Sequence, residues 1–220
     1  MNIEIFSDVA CPWCFIGQRR LARALAVAGV QARLFFRAFQ LQPGLPAEGV
    51  PAEAFFERKF GGQARTRALF DRLTSIGHEE GIAFDFGKQK RAPNTELCHR
   101  LIQLASVRGQ GDATVEALFR GYFEQGVNLS ELSEIVSLLE RQRVELDPAE
   151  LCDRLAAGDG KAEVASDLRK VAEYGVGSVP LFIFDQRYAI EGVQPIEHFQ
   201  RMIAKLRVED APHWRAVSPV

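Results

Sequence analysis

The sequence predicts an α/β protein in which the two ends of the chain supply the strands and a long helical stretch lies between them. Three observations predict it: apolar alternation at residues 3–6 and 30–39 flanking a helical repeat, no convincing strand from residue 51 to about 175, and a return of strand patterns at 181–190. Ile3 and Ile5 alternate with Glu4 and run into Phe6, a short strand. Leu21, Leu25 and Ala28 then recur at helical spacing as far as Gly29, a stop signal because glycine enters the left-handed region without a Cβ penalty. Val30, Ala32, Leu34, Phe36 and Ala38 fall on one face of a second strand, so the first forty residues read β-α-β.

Residues 40–50 are rich in turn formers and read as a hinge between lobes. Beyond them, helix starts are explicit. Asn94 follows Pro93 and precedes the stripe Leu97, Leu101 and Leu104; Asn128 and Glu131 have capping-box spacing before Leu132, Ile135, Leu138 and Leu139. Asp147, Pro148 and Glu150 supply cap, first-turn proline and box partner before Leu151 and Leu155. The stretch 81–87 alternates Ile82, Phe84 and Phe86 but is too short to separate strand from extended loop. Two apolar runs at 181–184 and 187–190, joined by Asp185-Gln186, read as a hairpin, although Gln186 stands where tight turns favour glycine. Pro195, Ile196, Phe199, Met202, Ile203 and Leu206 form a final amphipathic helix, followed from Arg207 by an irregular tail.

Composition narrows the function. With 220 residues, 47% of them hydrophobic, the chain can bury one substantial core and carry a second lobe. Lys and Arg number 27 against 29 Asp and Glu, so no bulk positive field exists to hold a phosphate backbone, and nucleic acid is not an expected partner. The opening "MNIEIF" places Glu4 inside its apolar run and resembles neither a secretory signal nor a membrane anchor, so a cytoplasmic location without membrane attachment is expected. Four cysteines in a reducing compartment, two of them clustered, argue for redox or metal chemistry over a disulfide framework.

The clustered pair, Cys11 and Cys14, follows the first strand directly. That places Cys11 at the mouth of the first helix, where unsatisfied N–H groups and the positive dipole end favour a thiolate, and makes it the expected nucleophile. Cys14, one turn deeper on the same face, is near enough to resolve a mixed disulfide on Cys11. Pro12 fits the first helical turn because its missing N–H costs nothing there. Trp13 either offers an aromatic surface to a partner or packs locally. Zinc fails on ligand count, since no second CxxC or CxxH pair accompanies the first, and no metal is expected. Cys98 shares a helix face with Leu101, Ile102 and Ala105 and reads as a small buried hydrophobe, as does Cys152 near Leu155. His78, His99, His198 and His213 show no ligand spacing, and the basic run at 58–67 reads as a solvated helix face.

Taken together, "SDVACPWCFIGQRRL" at 7–21, "FQLQP" at 39–43, "RAPNT" at 91–95, "HRL" at 99–101, "GVGSVPLFIFD" at 175–185 and "YAIEGVQP" at 188–195 resemble the DsbA-like oxidoreductases, most closely their cytoplasmic FrnE-type branch. The resemblance implies a thioredoxin-like fold at 1–45 and 170–206, interrupted by an all-helical insertion at 46–169, with a tail at 207–220. It also implies that Pro180 is a cis proline facing the active cysteine, which would leave the Val179 backbone free to pair with an extended substrate. The implied activity is thiol–disulfide exchange with protein or small-molecule thiols through Cys11 and Cys14, extending to disulfide isomerisation, with no cofactor beyond the redox disulfide. Two other readings stand beside it. Hydroxychromene-carboxylate isomerases and kappa-type glutathione transferases share the fold and bind glutathione partly through the helical lobe, which makes Asn94 a glutathione candidate, and glutathione a candidate reducing partner. That branch, however, usually carries serine where Cys11 stands. A non-catalytic interaction module with an inert dithiol is the third.

Overall fold

The computed structural model describes residues 1–209. Its main sheet has the order β2-β1-β5-β6, with β1 (Asn2–Ser7) at the centre, parallel to β2 (Arg33–Ala38) and antiparallel to β5 (Leu181–Phe184), which pairs with β6 (Tyr188–Glu191). Burial on both sides explains why β1 shows little polar alternation: Ile3 to Ser7 are all buried, and Glu4 is accommodated by Arg37, whose Nε donates to it at 2.7 Å. The helix α1 (Pro12–Ala28) connects β1 to β2 and ends as its sequence requires, with Gly29 at φ 61°. β2 starts three residues later than the alternation begins and buries Phe36 and Ala38.

Helices fill the excursion. α2 (Ala52–Phe60) and α3 (Gln63–Glu79) precede a 3-10 turn at Phe86–Lys88; α4 (Glu96–Val107), α5 (Gly111–Arg120), α6 (Leu132–Arg141), α7 (Pro148–Ala156) and α8 (Lys161–Glu173) follow. One correction is small: β3 (Val50–Pro51) and β4 (Arg91–Ala92) form a two-residue antiparallel ladder inside the stretch expected to lack strands. The alternation at 81–87 is not a strand. It serves an aromatic chain instead, in which Phe84 and Phe86 stack at 5.2 Å and meet Phe123 edge-on.

Caps are also displaced. Thr95, not Asn94, caps α4, and the Asn94 Oδ1 accepts from the Glu96 N–H at 3.0 Å. Glu131, not Asn128, precedes α6, because Asn128 folds an Asx turn onto Ser130 while its N–H donates to Glu134. The Asp147 cap of α7 is as expected, its carboxylate accepting from Ala149 and Glu150. At the hairpin, Asp185 and Gln186 both adopt positive φ (46° and 56°), and Asp185 exchanges two hydrogen bonds with Asn2 that hold the turn without glycine. The last helix, α9 (Ile196–Glu209), runs three residues into the expected tail; 210–220, including His213, lie outside the described residues.

A buried core runs unbroken from the sheet into the helices through Phe15, which stacks on Phe119 at 4.9 Å. The boundary expected at 169/170 falls inside α8, which packs on β2. From that helix the Asp167 carboxylate accepts the Ala38 N–H at 3.0 Å, and Gln103 of α4 donates to Phe36 O and to Asp167. The outer edge of β2 is thereby occupied by side chains rather than by another strand.

Candidate active site

The site is built where β1 ends. Asp8 leaves the strand and folds a tight turn: its backbone carbonyl accepts the Cys11 N–H at 2.9 Å and its Oδ1 accepts the Ala10 N–H at 3.1 Å. The other carboxylate oxygen accepts the Leu41 N–H at 2.7 Å, so the loop after β2 is pinned to the loop after β1. This turn delivers Cys11 to the N-cap of α1, with Pro12 in the first turn and no acidic residue there to oppose a developing anion. Cys11 uses its backbone carbonyl, not its sulfur, to accept the Cys14 and Phe15 N–H groups.

Opposite the helix tip stands the segment before β5. The Val179–Pro180 bond is cis, and the Cys11 Sγ lies 3.9 Å from the Val179 carbonyl oxygen. Gly192 N–H donates to Pro180 O at 2.8 Å and ties this segment to the end of β6. Gly17 is what lets α1 come this close: a Cβ there would meet the Pro180 Cγ at 3.0 Å and the Phe182 ring at 3.1 Å.

Both thiols are free and buried. Cys14 is 1% exposed, and its pKa is pushed well above the ordinary thiol range, first by burial, then by its hydrogen bond to the Cys11 side chain and by that sulfur's charge. Trp13 is half-buried against the core, so it joins both readings: it packs, and it keeps one part at the surface.

Three further groups meet here that the sequence reading did not assign. Asp8 is 1% exposed, and its Oδ1 lies 3.8 Å from His99 Nε2. His99, also buried, donates Nε2–H to Phe39 O at 2.9 Å; burial lowers its pKa, against the pull of Asp8, Phe39 and Asp167. Lys59 of α2 places its ammonium 5.6 Å and 5.8 Å from the Phe55 and Phe60 ring centres; desolvation lowers its pKa while the charges of Cys11 and Asp8 raise it. The 58–67 run is a solvated face as expected, with Arg58, Lys59, Arg65 and Arg67 all exposed, and at Lys59 the charges of the site are also felt. An acid three residues before the CxxC was the readable signal for Asp8; His99 and Lys59 arrive by tertiary folding alone.

The remaining sequence candidates lie elsewhere. Asn94 binds Gln40 through Oδ1 and donates Nδ2 to Leu45 O at 2.7 Å, tying the 40–45 hinge to the start of α4. Cys98 is fully buried, its Sγ 3.5 Å from Leu129 O, and burial drives its pKa far up. No cluster of three or more metal-ligating side chains occurs among the described residues, and no described helix is long and apolar enough to cross a membrane.

A family model, the DSBA-like thioredoxin domain, matches residues 2–204. The chain belongs to this family. Among solved structures, it is similar to a protein of Streptomyces coelicolor described as a probable DsbA oxidoreductase, with 31% identity over 96% of this chain and 92% of that one, at a TM-score of 0.85. A 2-hydroxychromene-2-carboxylate isomerase shares the fold of this DSBA-like chain at TM-score 0.71 and 14% identity, covering 96% of this chain and 98% of that one. So does the cytosolic disulfide reductase DsbM from Pseudomonas aeruginosa, solved with glutathione, at TM-score 0.66 and 16% identity over 94% of this chain and all of that one.

Proposed function

We propose that this DSBA-like protein is a thiol–disulfide oxidoreductase acting through Cys11 and Cys14. The observation that carries the reading is the placement of Cys11 at the N-cap of α1, its sulfur against the Val179 carbonyl beside a cis proline. In the reductive direction, the Cys11 thiolate attacks one sulfur of a substrate disulfide, the other sulfur leaves as a thiolate that takes up a proton, and a mixed disulfide forms. Cys14, having given up its proton, attacks Cys11; the Cys11–Cys14 disulfide closes and the second substrate thiolate leaves, so two electrons pass from the dithiol to the substrate. Run backwards, the same steps oxidise a substrate dithiol, and the partner's potential sets the direction.

In this reading Cys11 is the nucleophile and Cys14 the resolving thiol, while Pro12 and Trp13 shape the rim and Val179 presents its backbone to an extended substrate next to Pro180. Retention of both cysteines supports redox chemistry over the isomerase branch, where serine usually replaces the first. We assign the chain to the FrnE-type branch and to the cytoplasm, with glutathione as reducing partner and no bound cofactor; the fold shared with a cytosolic reductase solved with glutathione supports this. The hydrogen bonds of Asn94 favour a structural role for it over a glutathione contact.

Insulin reduction by the wild type, Cys11→Ser and Cys14→Ser tests the proposal. Both variants are expected to fall to the uncatalysed rate, with Cys14→Ser accumulating mixed disulfides on non-reducing gels. Activity that persists in both variants sinks it.

A further inference from the structure

A cavity lies in the helical lobe. Of about 660 Å³, it is bounded by α2, α3 and the 84–90 segment, open on one side, and none of Cys11, Cys14, Val179 or Pro180 lines it. One wall is aromatic: Phe70 and Phe86 stack at 4.2 Å with planes 6° apart, and Phe56 meets Phe70 edge-on at 5.5 Å. Gln89 also lines it. That side chain is 7% exposed, and neither its Nε2 nor its Oε1 has a hydrogen-bond partner.

A buried carboxamide with both ends unmade costs free energy, and few such groups persist in folded proteins without a purpose. The Thr66 hydroxyl, which also lines the cavity, does not relieve it: its hydrogen goes to Phe56 O and Gly62 O, and no hydrogen bond joins it to Gln89. A carboxamide offers a donor and an acceptor side by side, and its complement is an edge that does the same in reverse, as a lactam or pyrimidinone does. Flat rings bearing such an edge also suit a wall of phenyl faces. Charge narrows the ligand further. Four carboxylates (Glu53, Glu57, Asp71 and Asp85) line the cavity against two cations, Arg67 and Lys90, and Asp85 is paired with Lys88 at 3.1 Å. A phosphate would be disfavoured there.

We propose that this cavity binds a neutral, flat heterocycle, its ring against the Phe56–Phe70–Phe86 wall and its lactam or pyrimidinone edge on the Gln89 carboxamide. Riboflavin is a suitable probe because it is uncharged and fluorescent and its ring system ends in a pyrimidinedione edge. Titration of the whole chain is expected to change riboflavin fluorescence saturably, and flavin mononucleotide, the same ring with a phosphate, to bind at least fivefold more weakly. Gln89→Leu keeps the volume but removes donor and acceptor: riboflavin binding should weaken at least tenfold, while the melting temperature does not fall and insulin reduction is unchanged. Thr74→Trp, at an exposed position on the cavity wall, should obstruct binding to a similar degree and does not depend on tolerance at the buried site. Cys11→Ser should bind riboflavin as the wild type does. Absence of saturable binding, equal or tighter binding of flavin mononucleotide, wild-type affinity in Thr74→Trp or in a folded Gln89→Leu, or loss of binding in Cys11→Ser overturns the proposal.

Discussion

The first turns of α1 and α4 carry a cysteine at the same place. Cys14 and Cys98 are each the third residue of their helix, both are buried, and burial is the first cause raising the pKa of each. What differs is the residue at the N-cap and what stands opposite. In α1 the cap is Cys11, the first turn holds no acid, and the helix tip faces Val179 and Pro180. In α4 the cap is Thr95, Glu96 occupies the first turn, and Cys98 is spent on the Leu129 carbonyl. A cysteine near a helix start is therefore common chemistry in an unreactive setting. On the proposed reading, what sets α1 apart is a second sulfur at the cap and a strand end within reach beside it.

The largest expected effect breaks that comparison directly. Thr95→Cys in a Cys11→Ser background recreates the CxxC spacing on α4, and insulin reduction should stay at the uncatalysed rate; appreciable turnover would mean that spacing alone makes the centre. Gly17→Ala tests the reachable strand end. Its new methyl presses on Pro180 and Phe182, overpacking that costs about 1–3 kcal/mol, and a lowered urea midpoint together with slower insulin reduction is the expected pair of changes.

His99, one residue beyond Cys98 and beside Asp8, gives a smaller effect with a definite sign. Burial holds its pKa below the ordinary value of about 6.5, so the folded protein binds fewer protons than the unfolded chain as pH falls through that value. Stability contributed by neutral His99 is thus present above about pH 6.5 and lost on acidification towards its depressed folded value. His99→Gln, which can still donate to Phe39 O, should flatten the urea midpoint against pH across that window. Smallest of all is Cys98→Ala, expected to cost about 1 kcal/mol for the missing sulfur and to leave insulin reduction within about twofold, a change of under 0.5 kcal/mol in barrier.

Much of this arrangement was written in local pattern. The β-α-β start, the helical excursion, the hairpin and the Cys11 position follow from periodicity, Gly29 and Pro12, because each depends on neighbours in sequence. The shifted caps at Asn94 and Asn128 show the limit: an Asx turn and an N-cap draw on the same residue types, and tertiary hydrogen bonds chose between them. The alternation at 81–87 left strand and extended loop undivided for a similar reason, since aromatic packing rather than strand pairing set its period. His99 and Lys59 could not be read at all; α4 and α2 carry them to Asp8 and Cys11 from far along the chain.

The side chains of Asp167 and Gln103 along β2 have a consequence for how the molecule behaves in a crowd. An unpaired strand margin is a template on which copies of a protein can add end to end, and here the inserted helices occupy that margin with a carboxylate and an amide. Excising the insertion to make a minimal redox module would uncover it, and the shortened protein should assemble into fibrils that the full chain does not form.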